Sequence, residues 1–561
     1  MFADSTKMTR YFLFFLFFIC CQLSTANYQL FSAPPAPGIK YDSYPKDHVS
    51  KNVLEKRKRA AAENLKGAPL ALTIGSSGTR KLAVILVEFP SSGLNTSGAY
   101  VMTQSDITGF NALFTSLASY YDDVSYGQLS LEVDFVTEEG ITETLTGNET
   151  PFELPRTMAY YGADTEDSLA QLIKDALNAA GATASHSSSG GDYDAVMVAH
   201  AGYGNESTTQ NGDIWSVFIT WTVATQGFTE GTCVPAREAG GLSSLGVICH
   251  EFGHQLGLVD LYKTDGSNES IAGSWALMDS GAWNGGGAAP CHIMNFNKIW
   301  LGWMSSTELA GNQTGRETYK YEIPISTSVQ IYKIPLLSAP DPDKEYFLLS
   351  YHKKENWDAS LPGEGLLIWH IDELKMEEPD PPYVSRWEAN TINNDSSRLS
   401  IVYEGTGNWT SSSGSFTDSE SNLGTLSGIT IYGFSGEGTD IMTFSLTSAS
   451  STAAASLVKL VSYPNPSPGA VTFHFVFSRP TSGLELRIFD VRGREIKKID
   501  YSDISDYSIA QGLQPQDYRF TYEYKWDGKD EAGEEAGSGI YFYMLKFGSD
   551  KKTGKLAIVR P

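Results

Sequence analysis

Two histidines and a glutamate lie at a spacing suited to metal chemistry within residues 246–262, GVICHEFGHQLGLVDLY. Residues four apart lie on the same face of a helix, so His250 and His254 can direct two imidazoles toward one ion. Zinc suits imidazole ligands and accepts a tetrahedral site in which three protein ligands leave one position open. Glu251 lies one step along, close enough to hydrogen-bond a zinc-bound water. The spacing therefore predicts zinc-assisted hydrolysis with Glu251 as the general base.

A third ligand is expected just beyond this helix. Gly257 can adopt a left-handed conformation and end the helix. The chain can then turn back so that Asp260 approaches the ion from another side. The full pattern is His-Glu-x-x-His-x-x-Gly-x-x-Asp. The alternative is a buried helix whose two histidines bind no metal.

The bulk composition predicts a folded chain of several domains. Its 561 residues exceed the usual size of one domain, so two to four units are expected. A content of 41% hydrophobic and 19% charged residues argues against disorder. The formal net charge of -25 repels phosphate backbones and anionic membranes, so we expect no nucleic-acid partner.

Residues 1–26 have the features of a secretory signal peptide. Lys7 and Arg10 precede an apolar run at 11–21, and Ser24 and Ala26 are small residues suited to a cleavage site. The run is too short to span a bilayer comfortably, so no transmembrane segment is expected in the mature chain. The sequence predicts a secreted, extracellular protein. A buried N-terminal helix or a membrane anchor is the alternative.

Residues 27–80 contain prolines at first and then a charged cluster, Glu-Lys-Arg-Lys-Arg, at 55–59. The segment lacks the alternation of a strand, although 51–66 could form a helix. A solvated linker and a removable pro-segment with a basic processing point both remain open. The predicted hydrolase favours the pro-segment, and therefore a zymogen.

The pattern from residue 81 onward predicts the elements that must position the site. Expected strands at 82–89, 129–135 and 193–200 alternate with expected helices at 106–121 and 165–180. Such alternation indicates a mixed α/β domain, with boundaries at 81–315. Strand follows strand over 316–450, and 457–561 can supply one sandwich of about seven short strands. We therefore predict a multidomain protein.

Three cysteines remain in the mature chain. They are Cys233, Cys249 and Cys291, an odd number. An oxidising compartment permits one disulfide plus one free thiol, and we expect the bond between Cys233 and Cys291.

The extended motif resembles the metzincin clan of zinc peptidases, which implies an α/β fold with a mixed sheet, an active-site helix and a methionine turn below the metal. Met278 lies where that turn is expected, within residues 273–283, GSWALMDSGAW. Metzincins more often use histidine as the third ligand, and Asp260 in that place resembles the immune-inhibitor-A-like metallopeptidases, or cowrins. Segments that are similar to that family lie at 119–127, 199–202, 214–216, 300–303, 345–349 and 361–372. A gluzincin-like site with Glu269 as third ligand is the rival, although Glu269 lacks a helical setting.

The immune-inhibitor-A resemblance covers about residues 80–450. It implies secreted endopeptidase activity on protein substrates, a pro-segment, Zn2+ and structural Ca2+. The acidic loop expected around 404–422 is mostly Ser, Thr and Gly here, so no calcium ligands are assigned. We expect His200, His292, His370 and Asp372 to be core residues or to support the site rather than to act in catalysis.

The C-terminal residues 457–561 resemble hook-capping-type Ig-like modules and the C-terminal sorting domain of type IX secretion. The resemblance rests on the segments at 462–468, 486–494, 524–530, 538–545 and 555–559. It implies an Ig-like β-sandwich, with the secretion machinery as partner and attachment at the cell surface. The alternative is an accessory sandwich with no export role. A wider alternative also stays open: a surface adhesin whose metal site is vestigial.

Overall fold

The computed structural model combines mixed sheets, a few helices and a β-rich remainder, which fits a multidomain protein. The predicted signal peptide and the basic cluster at 55–59 lie outside the described residues. The described residues are 29–36, 74–91, 100–163, 165–208, 210, 212–309, 457–477 and, with gaps, 319–448, 484–506 and 521–560.

The first sheet has eight strands in the order β1-β7-β8-β6-β2-β3-β4, with β5 paired to β2. The four central strands run parallel, while β1, β7 and β4 pair antiparallel with their neighbours. The strands are β1 (Gln29–Ser32), β2 (Gly78–Glu88), β3 (Leu129–Thr137), β4 (Gly140–Thr142), β5 (Phe152–Glu153), β6 (Ala195–Tyr203), β7 (Val217–Thr225) and β8 (Phe228–Arg237). Strand β1 and the start of β2 fall within residues 27–80, where the sequence predicts no strand. Pairing with β7 and with β3 stabilises these two segments as strands, although their own sequence does not alternate.

The described residues contain six α-helices. They are α1 (Gln104–Val124), α2 (Met158–Tyr161), α3 (Glu166–Ala180), α4 (Leu245–Gln255), α5 (Asn295–Trp300) and α6 (Glu373–Glu377). Capping boxes at Thr103 and Thr165 begin α1 and α3, because each hydroxyl accepts the backbone N–H three residues on. Helix α4 is buried along its whole length and packs against β7 and β8. No helix in the described part of the chain is both long and apolar enough to cross a membrane.

A β-rich region follows α5 and contains α6. Its strands are β9 (Ser305–Glu308), β10 (Tyr319–Pro324), β11 (Gln330–Pro335), β12 (Glu345–His352), β13 (Gly365–Asp372), β14 (Pro379–Asp380), β15 (Val384–Ser385), β16 (Ile401–Tyr403), β17 (Phe416–Thr417), β18 (Ile429–Ser435) and β19 (Ile441–Ser448). They form a five-stranded sheet, β16-β13-β12-β11-β9, a four-stranded sheet, β10-β19-β18-β17, and the pair β14-β15.

Strands β12 and β13 belong to two hydrophobic cores at once, and every residue of both strands is buried. Leu348 and Trp369 join the core that also contains α4 and the first sheet. Phe347 and Ile368 join a second core with the four-stranded sheet. Successive side chains of a strand point to opposite faces, so the five-stranded sheet joins the β-rich region to the rest.

The C-terminal unit has a hydrophobic core of its own. Two four-stranded sheets, β20-β21-β25-β24 and β23-β22-β26-β27, contribute to it. The strands are β20 (Leu457–Tyr463), β21 (Val471–Phe477), β22 (Glu485–Asp490), β23 (Glu495–Asp500), β24 (Ser505–Asp506), β25 (Thr521–Trp526), β26 (Gly539–Phe547) and β27 (Asp550–Ile558).

Candidate metal centre

Three predicted ligands converge at the C-terminal end of α4. The Nε2 atoms of His250 and His254 lie 3.1 Å apart. Oδ1 of Asp260 lies 3.1 Å from Nε2 of His250 and 3.4 Å from Nε2 of His254. All three side chains are buried. In the part of the chain that the structure describes, this is the one group of three or more His, Cys, Asp or Glu side chains close enough to share a metal.

The turn that ends α4 also orients one imidazole. Gly257 adopts a left-handed φ of 87°. The N–H groups of Gly257 and Leu258 donate to the carbonyls of His254 and Gly253, which is a Schellman motif. After this reversal the carbonyl of Leu258 accepts a hydrogen bond of 2.9 Å from Nδ1 of His254. The same turn therefore redirects the chain toward Asp260 and fixes one ligand.

The two imidazoles are held in the same protonation form. Nδ1 of His250 lies 3.0 Å from the carbonyl oxygen of Leu277, as Nδ1 of His254 does from that of Leu258. A carbonyl can only accept, so each Nδ1 carries the proton and each Nε2 of the neutral ring carries a lone pair. Burial lowers the pKa of His254 and outweighs the opposing effect of Asp260. The lowered pKa favours the neutral ring.

Asp260 is fixed from outside the motif. Its backbone N–H donates to Oδ1 of Asn390 at 2.8 Å, and Nδ2 of Asn390 donates to Oδ2 of Asp260 at 2.6 Å. The N–H that Asn390 donates favours the ionised form of this carboxyl group. The carboxylate therefore presents a negatively charged Oδ1 to the two Nε2 atoms.

These three atoms fit a zinc ion. Ligands about 2.0–2.2 Å from a tetrahedral centre lie about 3.3–3.5 Å from one another, and the observed separations of 3.1–3.4 Å are close to this. Two nitrogen lone pairs and one carboxylate oxygen that face each other at these distances repel, and a cation between them removes the repulsion. Oδ1 of Asp260 has no hydrogen bond within the described residues, which agrees with a ligand atom. Two imidazoles and a carboxylate are donors that zinc prefers.

Glu251 lies next to this cluster and is fully buried. Burial, followed by the charges of Asp260 and Glu206, raises its pKa well above the ordinary value. The backbones of Phe218 and Ala33 lower that pKa in part, yet neither oxygen of Glu251 makes a hydrogen bond of ordinary geometry with a described residue. A buried carboxyl group without partners is costly, so this position indicates function rather than packing.

Met278 lies beneath the helix. A Cβ on Gly253 would lie 2.8 Å from its sulfur, so the thioether packs directly against α4. Its carbonyl accepts a hydrogen bond of 2.8 Å from the N–H of Leu261, beside Asp260.

The structure does not bring Glu269 to the site, since this side chain pairs with Lys263 and is 60% exposed. His200 and His292 are buried, and Nδ1 of His292 bonds to Nζ of Lys298. His370 bonds to Oε1 of Glu345 at 3.0 Å.

Asp372 caps α6 by accepting the N–H of Lys375. The contacts of His370 and Asp372 are structural.

The expected disulfide between Cys233 and Cys291 is wrong. All three cysteines are free and buried. The thiol of Cys233 on β8 donates to the carbonyl of Trp215, while Cys291 packs against Gly281. Burial raises the pKa values of Cys249 and Cys291 well above the ordinary value, so these thiols are packing residues rather than nucleophiles.

Sequence reasoning missed Asn390. It comes from the β-rich region, 130 positions away from Asp260, and has a left-handed φ of 56°. Asn393 and Asn394 bind the same loop, through the carbonyl of Leu261 and the N–H of Thr264. The asparagine-rich run at 390–394 was the available signal, but nothing in its spacing points to a metal site.

Residues 162–306 match the family described as Immune inhibitor A peptidase M6, catalytic domain. The match includes His250, Glu251, His254 and Asp260. This finding supports the expected family for the part of the chain that carries the site.

Relatives give weak to moderate similarity. The immune inhibitor A of Bacillus thuringiensis subsp. alesti is 37% identical over 125 residues, which cover 19% of this chain and 18% of that protein. The pre-pro-metalloprotease PrtV of Vibrio cholerae serotype O1 is 23% identical over 306 residues, or 44% of this chain and 33% of that protein. The chain thus spans a third or less of the length of these relatives.

Among solved structures, dimeric latent PorU from Porphyromonas gingivalis is 15% identical, with a TM-score of 0.17, over 39% of this chain and 18% of that one. A score this low carries no structural argument.

Proposed function

We propose that this protein is a secreted zinc-dependent endopeptidase that hydrolyses peptide bonds of protein substrates. The observation that carries the proposal is the convergence of His250, His254 and Asp260 beside the unpartnered carboxyl group of Glu251. The match of residues 162–306 to a peptidase catalytic domain supports the same activity.

Each side chain has a defined part in this proposal. His250, His254 and Asp260 would hold zinc, which when bound lowers the pKa of a water molecule and polarises the scissile carbonyl. Glu251 accepts the proton of the attacking water and then delivers it to the departing amine. Burial raises the pKa of Glu251, which makes its carboxylate a stronger base for the first of these two steps.

The finer classification is also a proposal. The Schellman turn at Gly257 and the position of Met278 below α4 support a metzincin-type, cowrin-like catalytic domain over residues 81–315. Residues 27–80 would be the pro-segment, and 316–450 a β-rich region that shares its core with the catalytic domain. Residues 457–561 would form an Ig-like sorting or attachment domain, which two sheets around a separate core support.

Structural calcium stays an expectation from the resemblance. The described residues offer no second cluster of three acidic, histidine or cysteine ligands. Thermal unfolding of the zinc-loaded chain with and without a calcium-selective chelator tests this expectation.

Replacing Glu251 with Gln tests the mechanism. The amide cannot accept a proton, so kcat/KM on casein should fall by about 100- to 10,000-fold while zinc stays bound at one equivalent. Metal content by mass spectrometry and proteolysis measured with and without a chelator give the two quantities.

Two further variants separate the ligand assignments. Asp260→Ala should lose zinc, whereas Glu269→Gln should keep both zinc and activity, since Glu269 is exposed and paired with Lys263. Full activity of Glu251→Gln would refute the mechanism, and full zinc in Asp260→Ala would favour the gluzincin-like alternative. A zinc-loaded wild-type chain that cleaves no protein even after the pro-segment has been cut and removed would favour the adhesin alternative.

A further inference from the structure

Two buried glutamates, Glu206 and Glu238, meet beside the candidate site. Glu206 lies in the turn after β6, and Glu238 follows the last residue of β8. Glu206 is 0% exposed and Glu238 is 5% exposed. Their carboxyl groups lie within hydrogen-bonding distance of each other. Two ionised carboxylates in contact in the protein interior repel, so one of them must be neutralised.

The hydrogen bonds around the pair show which carboxyl group is neutral. Oε2 of Glu206 accepts the N–H of Ser216 at 3.1 Å, and Oε1 accepts the hydroxyl of the same serine. Oε2 of Glu238 accepts the hydroxyl of Ser207, whereas Oε1 has no donor among the described residues. An ionised carboxylate only accepts hydrogen bonds, which suits Glu206. An O–H at Oε1 of Glu238 supplies the donor that the pair lacks.

The electrostatic surroundings favour the same assignment. Burial, followed by the charge of Glu206, raises the pKa of Glu238 well above its ordinary value. No cation is among the groups that influence Glu238. Burial also raises the pKa of Glu206, but the hydrogen bonds from Ser216 and Glu238 oppose this effect. One proton on Glu238 and one negative charge on Glu206 are therefore the favoured state.

The neighbouring elements bring no unmatched positive charge to the pair. Arg237 of β8 binds the carboxylate of Asp106 on α1 through Nε at 2.6 Å. Glu251 of α4 lies close enough for its charge to interact with the pair, and the same turn contains the buried Asp213. Residues 33–36, which donate a backbone hydrogen bond to this turn, have no ionisable side chain. The surroundings therefore add negative charge, which a proton on the pair relieves.

The pair lies where the turn after β6 meets the turn after β8. The N–H of Gly204 donates to the last carbonyl of β8 at 3.1 Å. The Ser207 hydroxyl that donates to Glu238 also accepts the N–H of Ala239 at 2.8 Å. A Cβ on Gly204 would lie 2.6 Å from Oε1 of Glu206, so the carboxylate is closely packed in this position. A charge change at the pair therefore acts on both turns.

We propose that Glu238 is a neutral acid that donates a hydrogen bond to the Glu206 carboxylate, and that this shared proton fastens the two turns together. When the proton is lost at higher pH, two buried negative charges meet and the turns separate. Because the pair interacts with Glu251, Glu206 and Glu238 are positioning residues for catalysis, a part of the inference that rests on the proposed function.

Glu238→Gln tests the shared proton, because its amide can donate to Glu206 at every pH and its oxygen can accept from Ser207. In the wild type, the unfolded chain releases this proton near the ordinary pKa of 4.5, whereas the folded chain keeps it to higher pH. The stability of the wild type relative to Glu238→Gln should therefore fall as the pH rises. The ratio of their unfolding constants should change by up to about 10-fold per pH unit.

Urea unfolding of the zinc-loaded chains between about pH 5 and 9 measures this ratio. Glu143→Gln is the control, because it neutralises an exposed glutamate of the same domain, and its curve should run parallel to that of the wild type. Parallel curves for the wild type and Glu238→Gln would overturn the proposal.

Glu206→Gln tests which residue holds the proton. Its NH2 group must face one of the two donors of Ser216, so the unfolding constant at pH 7 should rise at least about 10-fold. Glu238→Gln should leave that constant unchanged or lower it. A larger loss of stability in Glu238→Gln than in Glu206→Gln would overturn the assignment.

Infrared difference spectroscopy at pH 7 detects the neutral acid directly. The C=O band of a protonated carboxyl group should be present in the wild type and absent from Glu238→Gln. Millimolar calcium tests the other way to neutralise the pair. A rise in stability with calcium that the wild type shows and Glu238→Gln lacks would indicate a bound cation and overturn the shared proton.

These measurements do not depend on catalysis. In the active enzyme, the fall of kcat/KM at alkaline pH should move to higher pH in Glu238→Gln, and coinciding profiles would refute the positioning role. If no form hydrolyses peptides yet the stability curves diverge as expected, the proposed function fails and the shared proton stands.

Discussion

Asn390 holds Asp260 through two hydrogen bonds, one to its backbone N–H and one to its side-chain oxygen. The two residues lie 130 positions apart, in the β-rich region and in the turn after α4 respectively. The pair leaves Oδ1 of Asp260 facing the two imidazoles. The β-rich region, which follows the segment that carries the three ligands, therefore helps to determine the geometry of the metal centre.

Asn390→Ala should lower zinc affinity about 10- to 100-fold, since partners that orient a ligand contribute this much to metal binding. Competition with a chromophoric chelator measures the change. Asn408→Ala is the matched control, because it removes an asparagine bond to the carbonyl of Glu364, which is not part of the metal centre. Unchanged affinity in Asn390→Ala would show that Asp260 is positioned without it.

Gly257→Ala should lower both stability and zinc affinity. A left-handed φ of 87° costs a residue with a Cβ about 1 kcal/mol, and relaxation of the turn would move the Leu258 carbonyl that orients His254. Gly266→Ala, at a φ of 89° with open space around it, should lose similar stability and keep its zinc affinity. Equal zinc affinity in the two variants would show that the turn at Gly257 does not orient the zinc ligands. Urea unfolding and chelator competition give the two values.

Gly246→Ala should destabilise the protein by about 3 kcal/mol or more, because the new Cβ would lie 1.8 Å from the backbone carbonyl oxygen of Ala282. Backbone cannot move aside as a flexible side chain can. Gly109→Ala in α1, where nothing lies within 4 Å, should instead raise stability by about 0.5–1 kcal/mol. Thermal unfolding checks both signs, and a tolerated Gly246→Ala would contradict the close approach of α4 to residues 280–287.

The buried His200 should make the metal-free protein less stable in mild acid. Burial lowers its pKa from the ordinary 6.5 to about 4. Between pH 6.5 and 4 the unfolded chain binds a proton that the folded chain does not, so the free energy of unfolding falls as the pH falls. In His200→Phe this contribution, on the order of 3 kcal/mol, should disappear.

Urea unfolding of wild type and His200→Phe at several pH values, with a chelator present, measures the effect. The two proteins should differ increasingly as the pH falls from 6.5 to 4 and by a constant amount below it. His474→Phe is the control, because it removes a partly buried histidine of the C-terminal unit. It shows how the loss of a histidine elsewhere in the chain changes the free energy of unfolding. Parallel curves for wild type and His200→Phe would contradict the lowered pKa.

Local sequence determined the parts of the site that depend on near neighbours. The four-residue spacing of His250 and His254 places both imidazoles on one face of α4, and Gly257 ends the helix in a turn back to Asp260. These features follow from helix geometry and from the conformational freedom of glycine, so they could be predicted. The mixed sheets and the β-rich remainder could also be predicted at a coarse level from periodicity.

Tertiary structure alone decided what distant segments contribute. The contact of Asn390 with Asp260, the pairing of β1 with β7 and the two-sided burial of β12 depend on complementary surfaces that no local pattern encodes. The same holds for Cys233 and Cys291, whose number suggested a bond that their positions in the core do not make. The spacing of residues along the chain restricts the relative positions of near neighbours only. A hydrogen bond or strand pair between distant residues therefore forms only where the whole fold brings them together.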